Sequence, residues 1–168
     1  FRFTRPDDLA ADVIKHLVGQ VEGLDPKKVD DLIVGNAVPE AEAGMQMGRM
    51  ISLLSLPIEV PGMIVNRYCG SGLEAIAIAS QRIHAGMADV LIAGGTESMS
   101  LVPVMGTKTV LNYKIATEHP TYYTSMGLTA EQVSEKYKIS REDQDEFAYN
   151  SHKKAIDAID SGKFKDEI

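Results

Sequence analysis

The stretch Val65-Asn66-Arg67-Tyr68-Cys69-Gly70-Ser71-Gly72-Leu73 decides how this chain folds. It leads from an apolar run at residues 63–66, which predicts a short buried strand, into a helical pattern over residues 70–84. The turn between them contains two glycines and the only cysteine of the chain. A strand followed at once by an apolar helix is typical of α/β proteins, in which helices cover a sheet.

The same alternation extends on both sides of this stretch. Pro6, Asp7 and Asp8 open a helix that Gly19 and Gly23 end. Further apolar runs predict buried strands at residues 31–36 and 89–95, and a Met-rich helix at residues 44–54. The order helix, strand, helix, strand, helix, strand predicts an α/β layered fold with right-handed crossovers. The helix over residues 70–84 is apolar on nearly every side in its first half, so we expect it to be buried.

The pattern changes after about Pro103, where a polar, aromatic stretch without clear period precedes two charged helices. Ser140 and Asp143 form a capping box at the start of the last of these helices, and Ser161-Gly162 ends it. We therefore predict an α/β domain at residues 1–103 and a mainly helical cover domain at residues 104–168.

Composition excludes several functional classes. The chain has 168 residues, of which 44% are hydrophobic and 24% charged, as expected of one globular core. Its net charge of -7 argues against binding to nucleic acid or to anionic membranes. The single cysteine excludes an internal disulfide and favours a reducing, intracellular setting. Neither the ligand spacing of a zinc site nor an apolar run long enough to span a membrane occurs, so we expect a soluble protein without a metal.

Cys69 is the strongest candidate for chemistry. The sequence places it at the N-terminus of a helix, where free backbone amides and the helix dipole favour a thiolate. Gly70 and Gly72 would leave room for a substrate to approach the sulfur. The alternative is a buried, unreactive cysteine, because free cysteines are among the most buried residues in proteins.

Other candidates are weaker. A serine hydrolase would need glycines at positions 69 and 73 around Ser71, where Cys69 and Leu73 stand, so Ser71 is better interpreted as a helix-start hydroxyl that bonds to backbone. Glu97 follows a strand and two glycines; we expect it to fix a neighbouring loop, with a role as a base as the alternative. The chain has four histidines, His16, His84, His119 and His152. None of them is a convincing general base for Cys69.

The stretch Asn66-Arg67-Tyr68-Cys69-Gly70-Ser71-Gly72-Leu73-Glu74-Ala75-Ile76 resembles the acyl-enzyme motif of thiolases. Residues 86–100 are similar to the strand and loop that follow it in that family. Residues 126–131, 140–145 and 162–168 are similar to the thiolase loop domain. The resemblance therefore extends over essentially the whole chain.

This resemblance implies the thiolase fold, with a mixed, mostly parallel sheet covered by helices, of which the chain would supply most of the first half and the start of the loop domain. The first strand of that fold would precede Phe1. Thiolases also use a histidine in a Gly-His-Pro motif and a second cysteine in a Cys-x-Gly-Gly-Gly motif, and neither motif occurs here. Glu118-His119-Pro120 has Glu in place of Gly, so His119 is not assigned that role. We therefore expect a truncated chain that has no turnover by itself.

The resemblance also implies a function. Cys69 would be the catalytic nucleophile that accepts an acyl group from a 3-ketoacyl-CoA, with coenzyme A as co-substrate and no metal. Gly70 and Met126 would contact the substrate, Met126 by lining the acyl and pantetheine tunnel. The enzyme would be a cytoplasmic homodimer or homotetramer of the fatty acid β-oxidation type. The alternative from another class is a noncatalytic acyl-CoA or lipid carrier, or a scaffold, that keeps the thiolase fold.

Overall fold

The computed structural model describes residues 1–167, which form two compact units, residues 1–110 and residues 111–167. The helices of the first unit are α1 (Pro6–Gln20), α2 (Met47–Ser55) and α3 (Ser71–His84), and its strands are β1 (Asp31–Gly35), β2 (Gly62–Val65) and β3 (Leu91–Gly95). The helices of the second unit are α4 (Tyr113–Glu118), α5 (Met126–Tyr137) and α6 (Arg141–Asp160). Short 3-10 turns lie at Pro26–Lys28, Ala41–Ala43 and Pro120–Tyr123. The predicted α/β layered fold is confirmed.

The three strands form one parallel sheet in the order β2-β1-β3. Ile33 of β1 lies beside Met63 on one side and Ala93 on the other, which fixes the register of both pairings. All five residues of β1 are buried. A parallel strand that is hydrogen-bonded on both edges and covered on both faces favours apolar residues, and this explains the run from Leu32 to Val34; the buried Asp31 at its start is an exception, paired with Arg82.

Side chains of β1 alternate between two apolar clusters, one on each face of the sheet. Leu32 and Val34 pack with the buried faces of α1 and α2, whereas Ile33 packs with Ala75 and Ala79 of α3. The unit is therefore three layers thick, and the small alanines let α3 lie close to the sheet.

The face of α3 that points away from the sheet is exposed, which the sequence did not predict. Leu73 is 74% exposed and Ile76 is 54% exposed in this chain. The prediction of a helix buried on nearly every side is therefore wrong for these two residues. The periodicity of the helix identifies apolar positions but not which of them face the sheet.

The start of α2 also differs from the prediction. The helix begins at Met47 rather than residue 44, because Gln46 adopts a left-handed conformation with φ of 57°. The side chain of Gln46 accepts a hydrogen bond from the backbone N–H of Ile64 at 2.8 Å, which ties the start of the helix to β2.

The second unit consists of helices whose first turns are capped by side chains. Asn112, Ser125 and Ser140 accept hydrogen bonds from backbone N–H groups at the starts of α4, α5 and α6. The predicted capping box of Ser140 and Asp143 is present. None of the described residues of these three helices is buried. Across residues 1–167, no helix is both long and apolar enough to cross a membrane.

Two adjacent aspartates fasten the start of β1. Arg82 near the end of α3 donates to Asp31 at 2.6 Å, and this pair is largely shielded from solvent. The carboxylate of Asp30 accepts the backbone N–H groups of Asp89 at 2.7 Å and Val90 at 3.0 Å. These contacts hold the end of α3 and the entry to β3 against the central strand.

We expect the Asp30 contacts to make stability depend on pH. The N–H groups of Val90 and Asp89 hold the pKa of the Asp30 carboxyl below its ordinary value. A depressed pKa contributes stability above about pH 4, which is lost as the pH falls through the folded-state value. The urea midpoint of Asp30→Asn should therefore be lower than that of the wild type at pH 7, and the two midpoints should converge in acid. A difference that stays constant with pH would contradict this explanation.

Gly35 permits the closest contact between the sheet and α3. A Cβ atom at this position would lie 2.5 Å from the backbone carbon of Ser71. Since backbone cannot move aside easily, we expect Gly35→Ala to lower the free energy of unfolding by about 1–3 kcal/mol or more. Gly19→Ala is the matched control, because a Cβ atom there meets nothing within 4 Å. Urea unfolding of both variants tests this, and equal midpoints would contradict it.

Candidate active site

Cys69 lies in the turn between β2 and α3, directly before the helix cap at Gly70. Its side chain is exposed, which contradicts the alternative that this cysteine is buried. The first backbone amides of a helix lack partners within the helix and favour negative charge nearby. The sulfur is therefore accessible beside a helix start.

A hydrogen-bond network of side chains and backbone fixes the shape of this turn. Ser71, which is 4% exposed, accepts the N–H of Arg67 at 2.9 Å and donates its hydroxyl to the carbonyl of Tyr68 at 2.6 Å. Tyr68 is left-handed with φ of 46°, and its N–H donates to the side chain of Asn66 at 2.9 Å. The interpretation of Ser71 as a helix-start hydroxyl that bonds to backbone is confirmed. The network compensates for an unfavourable conformation next to Cys69.

Glycines bring the sheet directly under this turn. The backbone of Gly35 lies against Ser71 and Gly72, and a Cβ on Gly95 would lie 3.0 Å from the carbonyl oxygen of Gly35. The ends of β1 and β3 therefore meet the first residues of α3 without intervening side chains. This contact places the turn that carries Cys69, between β2 and α3, at the carboxyl edge of the sheet, where ligands of α/β proteins bind.

Glu97 ties two loops together at the same edge. Its carboxylate accepts the side-chain N–H of Asn36 and the backbone N–H of Ala37, each at 2.9 Å, and the N–H of Val38 at 3.3 Å. The expectation that Glu97 fixes a neighbouring loop is confirmed. Three N–H donors bind this carboxylate, and all three belong to residues 36–38 of the loop after β1.

Arg67 is the positively charged residue in the turn between β2 and α3. Its Nε lies 3.0 Å from a carboxylate oxygen of Glu74, in the first turn of α3. The Arg67 side chain is 71% exposed, so solvent screens this pair and it contributes little to stability. Its geometric effect is to link the residues on both sides of Cys69.

A cavity of about 460 Å³ opens above Cys69, and we call it the acyl chamber. Its volume falls within the range of roughly 300–1,000 Å³ typical of small-molecule sites. Its walls include four apolar side chains, which are Ala37, Val38, Met99 and Val104. No described histidine lines it. The chamber thus combines an exposed thiol with four apolar side chains, and Ser71, Thr96 and Glu97 also line it.

Another cavity of the described chain lacks this combination. A second cavity of about 240 Å³ lies between α1 and β3, and it is lined by apolar side chains, glycines and Thr96 without any titratable group. No cluster of three or more His, Cys, Asp or Glu side chains that could hold a metal occurs among residues 1–167.

The predicted substrate-binding residues fall in different units. Gly70 adjoins Cys69 in the first unit, whereas Met126 begins α5 in the second unit and is 74% exposed. The role of Met126 remains a prediction. Sequence reasoning did not identify Asn36, which donates to Glu97, or Val104, which lines the cavity, as parts of the site. The sequence placed Asn36 at the end of a predicted buried strand, and this was the one available signal, because the carboxyl ends of parallel strands share an edge.

The sequence of the chain matches a known family. A sequence model described as the thiolase N-terminal domain matches residues 1–168. This chain belongs to the thiolase family. Cys69 accordingly lies within a thiolase N-terminal domain, at the carboxyl edge of its sheet.

Individual thiolases are similar over nearly the whole chain. The 3-ketoacyl-CoA thiolase of Bacillus subtilis is 53% identical over 165 residues, which cover 98% of this chain and 42% of that protein. An acetyl-CoA acetyltransferase of Pseudomonas aeruginosa is 40% identical over 96% of this chain and 44% of its own length. The crystal structure of the Bacillus anthracis acetyl-CoA acetyltransferase superposes with a TM-score of 0.81 at 34% identity, over 99% of this chain and 45% of that one. The chain thus spans less than half the length of these thiolases.

The Ser71 network predicts a measurable effect of removing one hydroxyl. Ser71→Ala leaves the N–H of Arg67 without its acceptor in a part-buried position, so we expect the free energy of unfolding to fall by about 1–3 kcal/mol. Ser55→Ala is the control, because its hydroxyl bonds only to the carbonyl of Ile51 within α2. The alkylation rate of Cys69 by iodoacetamide should change in Ser71→Ala alone. An unchanged rate and unchanged stability would show that the network does not hold the turn.

Proposed function

We propose that this thiolase N-terminal domain belongs to an enzyme that cleaves 3-ketoacyl-CoA with coenzyme A, giving acetyl-CoA and a shortened acyl-CoA. The observation that supports this most is the exposed sulfur of Cys69 on the floor of the acyl chamber, at the start of α3. A catalytic nucleophile must be reachable by its substrate, and the exposed Cys69 side chain lines a cavity large enough for a small molecule.

The proposed reaction has two steps. The Cys69 thiolate attacks the 3-keto carbon and forms a carbon–sulfur bond, and the bond between carbons 2 and 3 then breaks. Acetyl-CoA leaves as an enolate that takes up a proton at carbon 2. The thiol of free coenzyme A loses its proton and attacks the acyl-enzyme thioester, which releases acyl-CoA and restores the thiolate. Covalent catalysis of this kind divides one difficult step into two easier ones.

The described residues contribute binding and positioning to these steps. Gly70 and Gly72 leave the approach to the sulfur free of side chains, and the turn holds Cys69 directly before the cap of α3 at Gly70. Val104 and Met99 offer an apolar surface to the acyl chain. We assign Met126 to the acyl and pantetheine tunnel, on the resemblance of residues 126–131 to the thiolase loop domain.

The names of the relatives support acyl transfer involving coenzyme A: the Bacillus subtilis protein is a 3-ketoacyl-CoA thiolase, and the Pseudomonas aeruginosa protein is an acetyl-CoA acetyltransferase. The higher identity to the former favours the degradative direction, as in fatty acid β-oxidation. We further propose coenzyme A as co-substrate, a homodimer or homotetramer, and a cytoplasmic location in keeping with a single free cysteine.

The acyl-enzyme is directly testable in the full-length protein. After incubation with a 3-ketoacyl-CoA and without free coenzyme A, mass spectrometry should show an acyl adduct on the peptide that contains Cys69. Free coenzyme A should remove the adduct. Cys69→Ala should abolish it and lower kcat/KM by at least about 10³-fold, because loss of a covalent nucleophile has effects of this order.

Ser151→Ala serves as the control, since Ser151 is exposed in α6, outside the acyl chamber. It should retain wild-type adduct and turnover. Tight binding of acyl-CoA without any adduct would contradict the proposal and would favour the carrier alternative, in which the fold holds the ligand without reacting.

A further inference from the structure

Two loops form the apolar walls of the acyl chamber, and both begin at the carboxyl edge of the sheet. The loop after β1 carries Ala37 and Val38, and the loop after β3 carries Met99 and Val104. Since loops have no ladder of hydrogen bonds to hold them, their position depends on individual contacts. The contacts that fix these loops therefore fix the size of the chamber.

Each loop is held by a carboxylate from the other. Glu97 in the loop after β3 binds backbone N–H groups of the loop after β1. In the opposite direction, Glu40 in the loop after β1 accepts the N–H of Thr107 at 2.6 Å and its hydroxyl at 2.8 Å. We call this pair of contacts the reciprocal clamp. It joins two segments that are about 60 residues apart in sequence.

The contact between Glu40 and Thr107 requires a glycine at position 106. The φ of Gly106 is +78°, and a Cβ atom there would lie 2.5 Å from a carboxylate oxygen of Glu40. A glycine is therefore needed both for the backbone conformation and for the close approach of the carboxylate. The Thr107 N–H and hydroxyl hold the pKa of the Glu40 carboxyl below its ordinary value, so the bond is charge-assisted at neutral pH.

Val104 lies between two fixed points. On one side Val102 is 3% exposed and packs in the main core cluster. On the other side Thr107 is bound to Glu40. The intervening turn is closed by the N–H of Gly106, which donates to the carbonyl of Pro103 at 2.8 Å. The core thus anchors one end of the turn, and Glu40 is the side chain that anchors its other end.

We propose that Glu40 is a positioning residue that sets the acyl-chain length accepted by the enzyme, by holding the turn with Val104 as a wall of the acyl chamber. This inference rests on the proposed thiolase function. Glu40 touches neither substrate nor the reacting atoms in this arrangement; it acts through Val104.

The test compares variants of the full-length protein with a short substrate, acetoacetyl-CoA, and a long one, 3-oxopalmitoyl-CoA. Glu40→Ala should raise the long-to-short ratio of kcat/KM by about tenfold, the scale of discrimination by one apolar contact. The change should lie mainly in KM. Val104→Ala, which removes the wall itself, should shift the ratio in the same direction. Gly106→Ala should resemble Glu40→Ala, because it displaces the same carboxylate.

Two further variants distinguish a role of Glu40 in positioning Val104 from a general loss of activity or stability. Glu40→Gln keeps an acceptor for Thr107 without the charge and should give an intermediate ratio. Glu42→Ala removes a nearby carboxylate that, unlike Glu40, does not bind Thr107, and it should leave the ratio unchanged. A wild-type ratio in Glu40→Ala, or an equal loss of kcat for both substrates, would overturn the proposal.

A second measurement does not depend on turnover. In the full-length protein, the labelling rate of Cys69 by a bulky maleimide should rise severalfold in Glu40→Ala, whereas the rate with iodoacetamide should change little. Suppose that the wild type shows no thiolase activity while the bulky maleimide still labels Glu40→Ala faster than the wild type. That result would contradict the proposed function but would support the role of Glu40 in holding Val104 at the chamber. If both reagents label the variant and the wild type alike, the wall is not held by Glu40.

Discussion

The contact between Gly35 and the start of α3 is the constraint on which the site depends. The backbone of the central strand lies directly against Ser71 and Gly72, at a distance that no larger residue permits. The strand is itself fixed by hydrogen bonds on both edges and by apolar clusters on both faces. The central strand therefore fixes the position of the turn that carries Cys69, and Cys69 is exposed in a short turn between β2 and α3.

Around this rigid floor, the walls are built on a different physical basis. Apolar packing holds β1 and α3, whereas carboxylates bound to backbone N–H groups hold the loops of the acyl chamber. A substitution in the packed core would disturb many contacts at once. A substitution that removes one hydrogen bond of a loop can change the position of that loop without disturbing the core. Such a division allows related enzymes to share one reaction centre and differ in the substrates they accept.

The sequence predicts the parts of this structure that depend on local periodicity. The apolar runs at residues 31–36 and 89–95 identify β1 and β3, and the two glycines beside Cys69 identify the turn. The order β2-β1-β3 could not be predicted, because it depends on pairing between distant segments. The left-handed Gln46 and the clamp residue Glu40 were missed for the same reason: their partners, Ile64 and Thr107, are far away in sequence.

The central place of β1 in the sheet has a consequence for how the site is assembled. One edge of this strand pairs with β2, but the other is completed only by β3, about 60 residues further along the chain. Contacts of such long sequence separation close slowly, because a large loop must be ordered before they form. The Cys69 thiol is consequently synthesised before its surroundings exist, and a nascent chain passes through a period in which Cys69 is exposed to oxidants without a finished pocket around it.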